Sequence, residues 1–227
     1  MLNLKSIDQT QRGNAMKASD ALRGLAAVAM IVGAFGATAR SDEPEIIRGQ
    51  ITAVEGDAII VKNGVTSYRL GIPENAAVLV LSEGSFTKVE YGVYVGAVAV
   101  KMDAYSPIVR DSLSWLHQGY ELRIIDEELR GIASGHKPWN LTNETIIAHG
   151  WVDDIEGRVL SIKYGPTEAE ETDVEIARDR PVLRMSLGSR SLIVPSAHIT
   201  AGGQKDEKGN FVAAFVFVGK DGIVPPL

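Results

Sequence analysis

Short runs rich in β-branched residues, punctuated by glycine turns, set the pattern of this chain. Ile51-Thr52-Ala53-Val54 and Ala58-Ile59-Ile60-Val61 flank Glu55-Gly56-Asp57, which reads as a β-hairpin with its turn at the glycine. Lys62-Asn63-Gly64 makes a second turn, after which Ser67-Tyr68-Arg69-Leu70 continues as a third strand. Val93 to Val100 and Phe211 to Val218 predict further strands. The second of these is apolar at every position, which predicts a strand buried on both faces.

The pattern occurs twice. Gly49-Gln-Ile-Thr-Ala-Val54-Glu-Gly56 through Lys62 returns as Gly150-Trp-Val-Asp-Asp-Ile155-Glu-Gly157 through Lys163. Asp173-Val-Glu-Ile176 then takes the place of the third strand, after an acidic loop from Thr167 to Thr172. The echo sounds again where Val78-Leu79 and Ser82-x-Gly84-Ser85 match Val182-Leu183 and Ser186-x-Gly188-Ser189. A repeated unit is one supersecondary module used twice. The predicted fold is therefore all-β, with two similar small OB-like β-barrel units in tandem, residues 46–130 and 149–227, joined by a linker at 131–148.

An export signal precedes this body. Lys17 and Arg23 form a basic start, Leu25 to Ala37 an apolar run, and Ala37-Thr38-Ala39 a small-x-small cleavage site. The run is shorter than the roughly 20 apolar residues that cross a bilayer, so residues 1–39 are expected to form a cleaved signal helix and not a membrane anchor. Met16 is an alternative start. Cleavage after Ala39 would leave a periplasmic or secreted chain with no stable membrane span.

Charge narrows the partners. Residues 40–227 carry 19 basic against 27 acidic side chains, a balance that repels phosphate backbones. OB-like barrels often take oligonucleotides, but a basic stripe interleaved with aromatics is missing, and nucleic acid is not an expected partner. There is no cysteine, so stability must come from burial without disulfides.

The most distinctive segment is the linker, Gly131-Ile-Ala-Ser-Gly135-His136-Lys137-Pro138-Trp139-Asn140-Leu141. Together with Leu129-Arg130-Gly131 and the closing Val218-Gly219-Lys220-Asp221-Gly222-Ile223-Val224-Pro225-Pro226, it resembles an uncharacterised family of exported bacterial proteins. Members of that family have tandem OB-like barrels and a Gly-His-basic-Pro-Trp linker. The resemblance implies the fold and export, and it carries no established activity. Tyr105 to Trp115 departs from it as an inserted loop or helical turn, with Ser106 as N-cap and Pro107 at the first helical position.

Candidate chemistry is sparse. Trp139 can bury a large apolar area at a junction, and His136 can hydrogen-bond a backbone carbonyl there. His136, Lys137, Trp139 and Trp151 are the candidate ligand-binding residues. His136 and His149, with a carboxylate such as Asp153 or Asp154, form the one candidate set for a divalent metal, although no two histidines have a recognised ligand spacing. No Gly-x-Ser-x-Gly elbow is present, and Asp126-Glu127-Glu128 and Glu168-Ala-Glu-Glu171 read as solvated charged loops. The expectation is a non-catalytic envelope protein that binds or scaffolds a protein, peptide or glycan, with no cofactor. A metal-linked periplasmic carrier or cryptic enzyme built around His136 is the alternative.

Overall fold

The computed structural model describes residues 45–101, 116–139 and 144–225. The signal segment, the insertion at Tyr105 to Trp115 with its Ser106 cap, and Asn140 and Leu141 of the linker lie outside the described residues. Within them the protein is all-β: thirteen strands and four short 3-10 turns. The strands are β1 (Glu45–Glu55), β2 (Ala58–Asn63), β3 (Thr66–Gly71), β4 (Ala77–Glu83), β5 (Tyr94–Lys101), β6 (Leu116–Ile125), β7 (Gly135–Pro138), β8 (Thr145–Glu156), β9 (Val159–Lys163), β10 (Glu171–Glu175), β11 (Val182–Leu187), β12 (His198–Lys205) and β13 (Phe211–Gly219).

All thirteen join one sheet that closes on itself at both ends. At one end β3, β2, β1, β12 and β13 form a five-stranded circuit, closed by parallel pairing of Phe211 and Val212 with Leu70 and Gly71. At the other, β10, β9, β8, β5 and β6 do the same, closed by parallel pairing of Asp173–Glu175 with Leu116–Gln118. Between the circuits run β11 and β4, antiparallel to each other and parallel to β6 and β13 respectively.

These two barrels do not follow one another along the chain. The pattern predicts a unit at 46–130 and another at 149–227, but each barrel takes three strands from one half of the sequence and a two-strand hairpin from the other. The hairpin β5–β6 completes the barrel begun by β8, β9 and β10, and β12–β13 completes the one begun by β1, β2 and β3. The physical cause lies in β4 and its echo β11. Ala77 to Leu81 are all buried, so β4 needs a neighbour on each edge and cover on each face, and it finds them only between the barrels. Having crossed there, the chain reaches the opposite barrel, where its next hairpin completes the wall.

The arrangement has an approximate two-fold axis. In the β4–β11 register Leu81 stands opposite Met185, its own counterpart in the sequence echo, and Leu79↔Leu187 mirrors Glu83↔Leu183. Backbone hydrogen bonds repeat across this axis. Gly84 N–H donates to Val182 O and Gly188 N–H to Val78 O, both at 2.9 Å. Lys220 N–H donates to Leu81 O and Asp126 N–H to Met185 O, again both at 2.9 Å. Even the bulges match, at Ile51/Ala53 and Val152/Asp154 in the first hairpins and at Gly202/Gly203 and Val98/Ala99 in the last.

Three apolar layers result. One barrel is filled by Ile51, Val61, Leu70, Ile199, Val216 and neighbours, the other by Val95, Leu122, Leu160, Ile162 and Val174. The third layer lies between them and contains Leu79, Leu81, Leu129, Ile132, Leu183, Met185 and Phe217. The all-apolar run predicts a strand buried on both faces, and β13 meets this only over Val216 to Val218: Ala213, Val216 and Val218 face a barrel interior and Phe217 joins the middle layer, while Phe215 is half-buried against that layer and Val212 is exposed.

Candidate functional site

The linker folds as structure. Leu129 and Ile132 drop into the middle layer, and Tyr94 O–H donates to Ile132 O at 3.1 Å. Arg130 lies over the Tyr94 ring and donates to Gly92 O at 3.0 Å. Gly135 to Pro138 then pair with β8 as its outer neighbour. Trp139 N–H donates to Thr145 O at 2.8 Å and the Thr145 hydroxyl donates to Trp139 O at 2.9 Å. Hydrogen bonding alternates along an antiparallel strand, so His136 and Pro138 turn their backbone edges away from β8. Pro138 has no N–H to offer there, which blunts an otherwise open sheet edge.

His136 is exposed and shares a 2.6 Å hydrogen bond between its Nδ1 and the Tyr164 hydroxyl, with ring centroids 5.5 Å apart. It does not meet a backbone carbonyl. Lys137 is half-buried, and desolvation holds its ammonium below the usual lysine range. Trp139 sits at the end of the β7–β8 hairpin, while Trp151 is the tryptophan packed on the layer between the barrels.

The candidate metal set does not converge. His149 pairs with Gly135 and His136 with Ala148, so the two imidazoles belong to successive rows of the sheet and point to opposite faces. Asp153 makes an ion pair with Lys163 at 3.5 Å. Among the described residues no group of three or more His, Asp and Glu side chains has metal-holding geometry.

A second cluster lies in the middle layer, where the sequence gives little warning of it. Glu121 and Arg123, both on β6 and both fully buried, form an ion pair. The Arg123 guanidinium lies 5.2 Å from the centre of the Phe217 ring. Arg48 on β1 stands within electrostatic reach of both, and desolvation followed by the charge of Arg123 lowers its affinity for its proton. Thr200, 1% exposed, is the cross-strand partner of both Arg48 and Phe217. Among the described residues none donates to Glu121 Oε2 or bonds the Thr200 hydroxyl. His149 completes the set. Its ring fits against Gly96, where a Cβ would come within 2.7 Å of Nε2. Burial, with Arg123 and Lys137 adding like charge, pushes its pKa down to about 3, so it is neutral at ordinary pH.

The sequence hides this cluster because Tyr120-Glu-Leu-Arg-Ile124 alternates polar and apolar residues, the pattern of a strand with one wet face. Only the echo carries a signal. The equivalent positions in β13 are Phe215 and Phe217, which marks the β6 face as one that should be covered.

The outer surface has a shallow, open depression at the end of the first barrel. Glu55, Asp57 and Ala58 from the β1–β2 turn, Arg69 and Gly71 from β3, and Asp206, Asn210, Phe211 and Val212 from the β12–β13 hairpin enclose about 340 Å³. Its rim is held by its own polar bonds. Asp206 accepts from Asn210 N–H at 2.8 Å and Lys208 N–H at 2.9 Å, and Asn210 holds its carboxyl below the usual range. Glu55 pairs with Arg69 at 3.5 Å. No family model, curated protein or solved structure matches the chain.

Proposed function

We propose that this is a non-catalytic binding or scaffolding protein of the bacterial cell envelope, exported by the signal at residues 1–39. With the strands numbered by the sequence echo, so that β8, β9, β10, β5 and β6 correspond to β1, β2, β3, β12 and β13, each circuit runs first–second–third–fifth–fourth and back to the first, which supports reading both as OB-like barrels. The observation that carries the binding role is the concavity at the mouth of the first barrel. It is lined by the polar side chains of Glu55, Asp57, Arg69, Asp206 and Asn210 and by apolar Ala58, Phe211 and Val212, a mixed lining of the kind that ligand sites have. The buried Glu121–Arg123–His149 cluster lies away from solvent and serves packing between the barrels. Of the three lining carboxylates Glu55 pairs with Arg69 at 3.5 Å and Asp57 with Arg190 at 3.8 Å, and the remaining negative charge of Asp206 favours an amine-bearing peptide or glycan.

A thermal-shift screen of the chain from Arg40, against basic peptides, amino sugars and divalent metals, tests this. A ligand at 100 times its Kd should add about 2.7 kcal/mol of stability. The shift should disappear in Asp57→Asn/Asp206→Asn. A shift produced by metals and lost in His136→Ala would replace this reading with a metal-linked one.

A further inference from the structure

We infer that the outer edge of β1, over Glu45 to Gly49, is a docking site for an extended peptide strand that carries an acidic residue. The occupant is a segment of another protein, and the surface is separate from the mouth of the first barrel.

The duplicated fold shows what belongs on this edge. β1 corresponds to β8, with Ile46 in the place of Ile147 and Gly49 in that of Gly150. β8 has β5 on one side; on the other it has β9 as far as Trp151 and then β7, which pairs Gly135 with His149 through to Pro138 with Ile146. β1 has β12 on one side and, on the other, β2 as far as Gln50. No described strand lies along the rest of that side. Ile147, beside β7, is buried, whereas its counterpart Ile46 is only half-buried.

The backbone is turned to receive a strand. Ile51 N–H donates to Ala197 O at 2.9 Å, so Ile51 bonds toward β12. By the alternation of an antiparallel pair Gly49 and Ile47 do the same, and Ile46 turns its N–H and C=O to the outer edge. β8 is built alike: Val152 N–H donates to Val93 O at 2.9 Å, which turns Ile147 outward to meet Lys137 of β7. The two outer edges then differ. That of β7 is blunted by Pro138, while Glu45-Ile46-Ile47-Arg48 has neither proline nor bulge.

Charge selects the occupant. Lys62 stands at the head of the edge, opposite Gln50. Its counterpart Lys163 pairs with Asp153 at 3.5 Å, but the position of Asp153 is taken in the first half by Thr52, whose hydroxyl donates to Ile60 O. Among the described residues Lys62 has no carboxylate partner. Ile47 and Ile51 fill the barrel, so Ile46, Gln50 and Lys62 share the opposite face. A strand in the register of β7 sets its first residue opposite Arg48 and its third opposite Ile46. An acidic first residue is the next along the edge from Lys62. An apolar third residue covers Ile46 and exchanges both backbone hydrogen bonds with it. A second copy of β1 in the symmetric antiparallel register offers isoleucine first and arginine third. It would set a cation on Ile46 and leave Lys62 without an acid, so the charges favour an unlike partner.

The test titrates the labelled peptide Ser-Glu-Thr-Val-Thr-Ser into the whole protein and reads fluorescence anisotropy. Binding should saturate. The peptide N-methylated at its valine cannot donate to Ile46 O and should bind about tenfold more weakly. Ile46→Pro removes the outward N–H, leaves the β12 ladder intact and should abolish binding. Lys62→Glu should reverse the charge preference, so that the peptide with lysine in place of glutamate binds more tightly by about twofold to fivefold. Asp57→Asn/Asp206→Asn should leave binding unchanged, and a loss there would overturn the inference by moving the peptide to the barrel mouth. No saturable binding, equal affinity for the N-methylated peptide, or an unreversed preference in Lys62→Glu would each overturn it as well. So would a dimer seen by native mass spectrometry in the parent protein and lost in Ile46→Pro, which would give the edge to a second copy.

Discussion

The Arg123 guanidinium carbon lies over the Phe217 ring, and the two are counterparts in a repeated sequence. A duplicated module has put a charge where its twin keeps an aromatic ring, and has buried both. Such a charge depends on its neutralising partner. Glu121→Gln should therefore cost about 3–5 kcal/mol, because it leaves the Arg123 guanidinium buried without its carboxylate. Replacing both, as Glu121→Leu/Arg123→Met, should cost much less than the single change. Urea unfolding of the three proteins checks this; equal losses in the single and double variants would mean that the pair is not the unit of stability.

His149 gives the fold an acid-sensitive component whose sign can be worked out. Its folded pKa is about 3, against 6.5 for the free imidazole, because burial and the nearby Arg123 and Lys137 oppose its charge. The unfolded chain thus binds the proton more readily, and the stabilisation is complete above pH 6.5. As pH falls from 6.5 toward 3 it is lost at about 1.4 kcal/mol per pH unit. His149→Gln should flatten the urea midpoint against pH over that window relative to the parent protein, whatever its effect at pH 7. Parallel curves for the two proteins would show that another group carries the acid response.

Much of this fold is legible in the sequence, for identifiable reasons. Hairpins such as Ile51–Val61 declare themselves because β-branched residues flank a glycine turn, and the echo between Gly49 and Gly150 declares the duplication. Which hairpin closes which barrel is not declared. A two-residue period says that a strand has a buried face and is silent about the strand beside it, so β5–β6 reads equally well in either barrel. The size of Trp139 predicts a wedge at the junction, but Trp151 packs there because its strand, β8, borders the middle layer. The polar cluster was hidden for the same reason: Glu121 and Arg123 alternate with apolar neighbours like any solvated face.

Gly49 and Gly150 owe their recurrence to a close approach of backbones. A Cβ would meet the Lys62 carbonyl oxygen at 2.4 Å in the first case and the Lys163 carbonyl oxygen at 2.2 Å in the second. Since both obstacles are backbone in paired strands, neither can yield without disturbing the hairpin. Gly49→Ala and Gly150→Ala should each lose more than 2 kcal/mol on the scale of overpacked cores. Gly64→Ala, at a turn with φ +58° and open space around it, should lose about 1 kcal/mol. Thermal midpoints of the three variants give the comparison, and a Gly64 variant as impaired as the others would point to turn conformation as the governing term.

The axis residues Leu81 and Met185 offer a test of how symmetrically the two halves share the load. Both are almost fully buried, both belong to the middle layer, and each faces the other across the central strand pair. Truncation at either removes apolar contacts from the same layer, so Leu81→Ala and Met185→Ala should each cost about 2–5 kcal/mol. Because the cavities would adjoin, the double variant should depart from the sum of the single costs, by about 0.5 kcal/mol or more. Additive losses in a urea double-mutant cycle would mean that the two positions relax independently and that β4 and β11 do not act as one element. Coupled losses would mark the central pair as the joint through which the stability of each barrel depends on the other.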